Sequence, residues 1–207
     1  MVPPRQGMDP ATSELPCDDI EALMKLIPTK FDLAFLIEPR VFEDARGFFF
    51  ESYNRAAFQE AGIDTVFVQD NHSKSCAGTV RGMHFQTPPR AQDKLVRAIV
   101  GRIFDVIVDL RHGSPTYGQW EGHELSADNH RMLFVPKGFA HGFCALSETA
   151  EILYKCSDFY APETAKGFAW NDPTVAIDWP VETPTLSTQD QQHGPLAGVP
   201  ACFHYHS

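Results

Sequence analysis

From Phe31 onward the apolar positions fall in short runs separated by turn residues: "LAFLIEP", "GFFFESY", "TVFVQDN", "TVRGMHF", "KLVRAIVGRIFDVIVDL", "YGQWEGHEL", "RMLFVPKGF", "HGFCALS" and "EILYKCSDFY". Runs of this length, rich in β-branched and aromatic residues and broken at regular intervals by Gly, Pro, Asn and Asp, predict strands of a sandwich or barrel. The stretch "KLVRAIVGRIFDVIVDLR" reads as a β-hairpin turning at Gly101 and Arg102. Period 2 places Lys94, Val96, Ala98 and Val100 on one face of its first arm, and Leu95, Arg97 and Ile99 on the other. Helical patterning is confined to two places. "NRAAFQEAG" at 54–62 predicts a helix of two turns ending at Gly62, and "DDIEALMKLI" predicts a short helix capped by Asp18 or Asp19. The second lies in residues 1–30, where Pro3, Pro4, Pro10 and Pro16 crowd the start and aromatic residues are few, so this stretch is expected to be an extension outside the core. The expected organisation is therefore an extension over 1–30, one β domain over 31–185, and a segment over 186–207 that packs on it.

Composition narrows the function classes. A chain of 207 residues, 43% apolar, suffices for one domain with a well-buried core. A net charge of −10 with no cluster of Lys and Arg argues against nucleic acid as a partner, and no apolar run is long enough to predict a membrane span. The five cysteines are odd in number, scattered, and lack any C-x-x-C pair, which predicts neither a disulfide framework nor a zinc site and points to a reducing, cytoplasmic setting. The N-terminus lacks the basic-then-apolar order of a signal peptide.

Within "RGMHFQ", strand alternation puts Gly82, His84 and Gln86 on one face and Arg81, Met83 and Phe85 on the other. A lone strand histidine is ordinarily a core or rim residue satisfied by a carbonyl. A metal role would call for a second histidine at i+2 followed by a carboxylate, and neither His84 nor His141 has one. Polar groups at strand-compatible spacing surround it in sequence: Gln69 and Asn71 on a shared face, Arg81, and Lys94, a set able to hold a phosphate and a sugar. In "EILYKCSDFY", Ile152, Tyr154 and Cys156 share a face, so Tyr154 is either a core phenol or a proton donor in a dry pocket.

Taken in order, "VFEDARGFFFESYN", "FVQDNHSKS", "VRGMHFQ", "KLVRAIVGRIFDVIVDLR", "SPTYGQWEGHELSADN", "FVPKGFAHGFCALSE", "AEILYK" and "WNDPTVAIDWP" closely resemble the dTDP-4-dehydrorhamnose 3,5-epimerases. The resemblance implies an all-β, cupin-type jelly roll (a double-stranded β-helix), a homodimer, and epimerisation of a nucleotide-linked 4-keto-6-deoxy sugar with no cofactor and no metal. A 4-keto group acidifies the hydrogens on C3 and C5, so a base, an acid and a stabiliser of the enolate oxygen suffice. By the same resemblance His84 is the base, Asp190 its orienter, Lys94 the cation beside the keto oxygen and Tyr154 the acid on the opposite face. Arg46, Glu51, Gln69, Asn71, Arg81 and His141 are implied to bind the nucleotide and diphosphate, with Tyr160 stacking on the base. The chain departs from the family where members often carry Glu before "WNDP", here Ala165, and Lys before the C-terminal Asp, here Gln189. Both positions bear on ligand contacts, and so on the exact nucleotide and sugar, and not on the proton relay. A C3-only epimerase of a related nucleotide 4-ketodeoxysugar is the alternative reading, and a metal-dependent cupin enzyme a remoter one.

Overall fold

The computed structural model describes residues 23–205. Side-chain alternation there does build strands, and the strands form two antiparallel sheets. The first is ordered β1-β2-β10-β7-β12-β5, from β1 (Met24–Pro28), β2 (Phe35–Pro39), β5 (Gln69–Cys76), β7 (Lys94–Val100), β10 (Met132–Val135) and β12 (Thr149–Cys156). The second is ordered β13-β6-β11-β8-β9, from β6 (Val80–Gln86), β8 (Arg102–Asp109), β9 (Trp120–Ser126), β11 (Phe139–Ala145) and β13 (Ala165–Gly167). A separate two-stranded ribbon pairs β3 (Phe42–Asp44) with β4 (Gly47–Phe49). The result is the expected jelly roll, its neighbouring strands drawn from distant parts of the chain.

Two expectations need correction. The segment 94–109 is not a hairpin: β7 pairs with β10 and β12, whereas β8 pairs with β11 and β9, so the chain crosses from one sheet to the other at Gly101. Gly101 has φ +67°, and a Cβ there would stand 2.2 Å from the Thr149 carbonyl oxygen, so the crossing needs glycine just as a hairpin turn would. Second, residues 24–28, placed in the stretch expected outside the core, form β1, pair in register with β2 and bury Met24. The apolar positions read as helical there are claimed by that sheet edge, and residues 18–22 of the same expected helix lie outside the described residues.

Three apolar layers follow from the alternation. Between the sheets sit Leu36, Val96, Ile103, Ile107, Leu133 and Ile152. The outer face of the second sheet, through Val80, Met83, Val106 and Val108, is covered by Phe168, Trp179 and Leu196 of the C-terminal half. On the outer face of the first sheet, Ile37, Leu95 and Met132 pack against Phe58 of helix α1 (Arg55–Glu60). That helix ends as expected before Gly62, at φ +90°, and at its start the Asn54 side chain accepts from the Ala56 and Ala57 amides. Among the described residues no helix is long and apolar enough to cross a membrane.

Candidate active site

The inner faces change character along their length. On β12 the inward positions run Ala150, Ile152, Tyr154, Cys156; on β7 they run Ala98, Val96, Lys94. At the polar end of both, the sheets enclose a cleft with adjoining lobes of about 370 and 330 Å3 that share His84, Lys94, Tyr154 and Gln189. Gln69, Asn71 and Tyr160 line one lobe; Arg81, His141 and Asp190 line the other. Nine of the eleven residues singled out by sequence thus meet at one cavity. Tyr160, 64% exposed, stands at its mouth.

His84 reaches the cleft from β6, and its Nε2 lies 2.5 Å from Oδ1 of Asp190. The carboxylate comes from the short helix α2 (Thr188–Gln191), whose N-cap Ser187 accepts from the Asp190 amide at 3.1 Å. Asp190 is only 3% exposed. Burial pushes its pKa up, but the His84 hydrogen bond and charge, with the Ser187 contact, outweigh that and hold it below the ordinary carboxylate value. With Asp190 accepting from Nε2–H, the free lone pair of the ring is on Nδ1.

Arg81 was separated from His84 by strand parity, yet both line the same lobe. The reason is a bulge. β6 runs from His84 to Arg81 against His141 to Phe143 of β11, so three steps on one strand oppose two on the other. Gly82, at φ +152°, takes up the extra residue, and a Cβ there would lie 2.7 Å from the Gly142 Cα. Arg81 is then held by Ser75 Oγ at 3.1 Å and by the Lys74 carbonyl at 3.0 Å.

Tyr154 faces His84 from the opposite sheet. Burial and the neighbouring Cys156 raise its pKa, with Arg81 pulling the other way, so the phenol holds its proton at neutral pH. Burial lowers the pKa of Lys94, opposed by Cys156 and by the buried Asp105. Asp105 also holds His141, whose Nε2 is 2.7 Å from its Oδ1, giving the cleft a second histidine–aspartate pair. Gln69 donates to Asn71 at 3.0 Å and accepts from the Tyr160 amide at 3.0 Å, tying the aromatic at the mouth to the polar row of β5.

Arg46 and Glu51 are not in this cleft. Arg46 lies on the turn of the β3–β4 ribbon, ion-paired to Asp44 with its side chain 90% exposed, and Glu51 follows the ribbon and accepts from Asn54. Strand parity assigns a residue to a face of its own strand, but this ribbon joins neither sheet, so parity gave no means of locating it. Sequence reasoning also missed two residues that line the cleft, Lys166 and Gln86, and one that stands beside His84, His193. Lys166 carried no signal. Gln86 lies on the face assigned to His84 and braces the loop before Tyr160 by accepting from the Ala161 amide at 2.8 Å and donating to the Phe159 carbonyl at 3.2 Å. His193 follows Asp190 by three residues, a helical spacing that could have pointed to it.

The chain is similar to one family of known proteins along most of its length. The family model described as dTDP-4-dehydrorhamnose 3,5-epimerase matches residues 28–198. A dTDP-4-dehydrorhamnose 3,5-epimerase of Pseudomonas aeruginosa is 60% identical over 170 residues, covering 81% of this chain and 93% of that one. Among solved structures, the dTDP-6-deoxy-D-glucose-3,5-epimerase of Legionella pneumophila in complex with dTDP-4-keto-L-rhamnose superposes with a TM-score of 0.86 at 45% identity, over 89% of this chain and all of the other. The dTDP-4-dehydrorhamnose 3,5-epimerase of Bacillus anthracis with TDP and pyrophosphate bound gives 0.82 at 53% identity, over 83% and 99%.

Proposed function

The chain belongs to the dTDP-4-dehydrorhamnose 3,5-epimerase family, and from that premise we propose that its cleft inverts C3 and C5 of dTDP-4-dehydro-6-deoxyglucose to give dTDP-4-dehydrorhamnose. The observation that carries the reading is that a histidine with a buried carboxylate partner and a half-buried phenol face one cavity from opposite sheets. Nδ1 of His84 removes the proton from C3, and the C–H electrons pass into the C4 carbonyl to form an enolate. The Lys94 ammonium stabilises the enolate oxygen, and its withdrawal from water strengthens that attraction. Tyr154 Oη then delivers a proton to the other face of C3; the imidazolium returns the abstracted proton to solvent and the phenolate regains one. The same cycle at C5 completes the isomerisation. One proton leaves and one arrives at each carbon, so the chemistry is redox-neutral.

Arg81, with His141 beside it in the same lobe, suits the diphosphate as a fixed cation, and Tyr160 at the mouth suits stacking on the base. Arg46 and Glu51 reach a cleft if the protein is a homodimer in which the β3–β4 ribbon of one copy lies over the cavity of the other. The ribbon has the character for it: Phe42, Phe48 and Phe49 are exposed, the last two at 59% and 65%. Free cysteines at 76, 144, 156 and 202 support a reducing, cytoplasmic setting.

The test is proton exchange in D2O with dTDP-4-dehydro-6-deoxyglucose, followed by NMR. Deuterium is expected at both C3 and C5, with about a hundredfold loss in His84→Ala. Exchange confined to C3, or a loss no greater than twofold in the variant, overturns the reading. For the dimer, mixing Arg46→Ala with His84→Ala chains is expected to restore activity through heterodimers that carry one intact site; light scattering that gives a monomer mass excludes it.

A further inference from the structure

His193 stands behind His84 and Asp190, outside the lining of the cleft, and takes no part in the proton relay. It lies just past the C-cap of α2, so its imidazole turns back toward the Asp190 carboxylate, with Nε2 3.9 Å from Oδ1. Its ring centroid is 5.7 Å from that of His84. Nε2 of His193 is buried and has no hydrogen-bond partner among the described residues. The position is a built one. Gly167 on β13 leaves the space, since a Cβ there would fall 2.4 Å from Nε2, and the Ala169 amide anchors the adjacent backbone by donating to the Gly194 carbonyl at 2.8 Å.

We propose that His84, Asp190 and His193 form a three-ligand Zn2+ site whose occupation switches the enzyme off. Two imidazoles and a carboxylate are a donor set that zinc favours, and one ligand atom from each residue lies within 4.8 Å of the others. A tetrahedral zinc with bonds near 2.1 Å sets its ligand atoms about 3.4 Å apart. The Asp190–His84 separation of 2.5 Å must open and the Asp190–His193 separation of 3.9 Å must close, each by less than an ångström. His84 is half-buried and faces the cleft, which leaves the fourth position for water. The inhibition follows from the imidazole. A neutral ring bound through Nε2 keeps its proton on Nδ1, so zinc moves the His84 proton onto the nitrogen whose lone pair is needed to take the substrate proton. Zinc also withdraws Asp190 from its role as acceptor.

The inhibitory effect rests on the epimerase reading; metal binding does not, and the experiment separates them. Chelator-treated wild-type protein and His193→Gln are compared by equilibrium dialysis against ZnCl2 and by exchange assay across a zinc titration. The exposed Cys76 thiol offers zinc a competing soft ligand, so the readout is the difference between the two proteins. Wild type is expected to bind one more zinc per chain than His193→Gln, and to lose activity at zinc concentrations at least about tenfold lower, with full recovery in EDTA. Without zinc the two should turn over within twofold of one another. Equal zinc binding, or equal inhibition, overturns the proposal; His193→Asn repeats the comparison if the glutamine variant does not fold. If neither protein turns over substrate but the binding difference persists, the site stands and the epimerase reading falls.

Discussion

Replacing Asp190 with Asn tests the relay where its geometry is tightest. The hydrogen bond from His84 is 2.5 Å long, and its acceptor is a carboxylate 3% exposed. A hydrogen bond to a charged group is worth about 1.5–3 kcal/mol, which converts to about a 10- to 150-fold loss of rate if the bond strengthens as His84 takes up its proton. The upper end is favoured because an asparagine amide can donate to Nε2 and so reverse the tautomer, removing the Nδ1 lone pair. The backbone should stay in place, since the N-cap contact of Ser187 is to the Asp190 amide and not to its side chain. Single-turnover deuterium exchange isolates the proton step, and retention of more than a third of the wild-type rate would refute the orienting role. Stability gives an independent check. The folded-state pKa of Asp190 lies below the unfolded value, so its contribution is full above about pH 4 and is lost as pH falls through the folded value. Urea midpoints of wild type should therefore drop on acidification into that range, and those of Asp190→Asn should drop less.

Other substitutions address the remaining parts. Tyr154→Phe should still exchange deuterium at C3, because His84 can return a proton to the face it came from, while net inversion falls by about a hundredfold; equal loss of both would place Tyr154 elsewhere in the chemistry. Lys94→Met should abolish turnover yet raise the urea midpoint at pH 7, since burial lowers the folded-state lysine pKa and disfavours its charge. That gain should shrink as pH rises from the folded value towards the ordinary lysine value, where the charge is lost in both states. Gly82→Ala meets both a positive φ and the Gly142 backbone at 2.7 Å, and should cost about 2–4 kcal/mol by urea unfolding; a neutral result would mean that the bulge is not confined as described.

Much of this site was legible because a strand's period of two is rigid: Lys94 with Val96, Tyr154 with Cys156, and Gln69 with Asn71 were each assigned to the faces they occupy. What escaped the sequence is what that period does not encode. A glycine at positive φ serves a hairpin turn and a crossing between sheets equally well, so Gly101 could not reveal that β7 and β8 part company; that depends on pairing with β10 and β11, more than 30 residues away. A one-residue bulge at Gly82 reverses parity from that point on, which is why Arg81 and His84 looked opposed. The Arg46 ribbon sits in neither sheet, and the helical pattern read over 18–27 was overridden from Met24 onward by an available sheet edge.

The separation of the two proton carriers has an evolutionary side. His84 belongs to one sheet and Tyr154 to the other, and the apolar layer beside them, with Phe143 and Ile152 bordering the same lobe, acts as the spacer that fixes the gap. Reaction outcome is then tunable without touching any group that handles a proton. Trimming Ile152 would let the sheets settle closer and shift the reach of the phenol relative to C3 and C5, so that selectivity between the two carbons can drift through substitutions that look like ordinary changes of core volume.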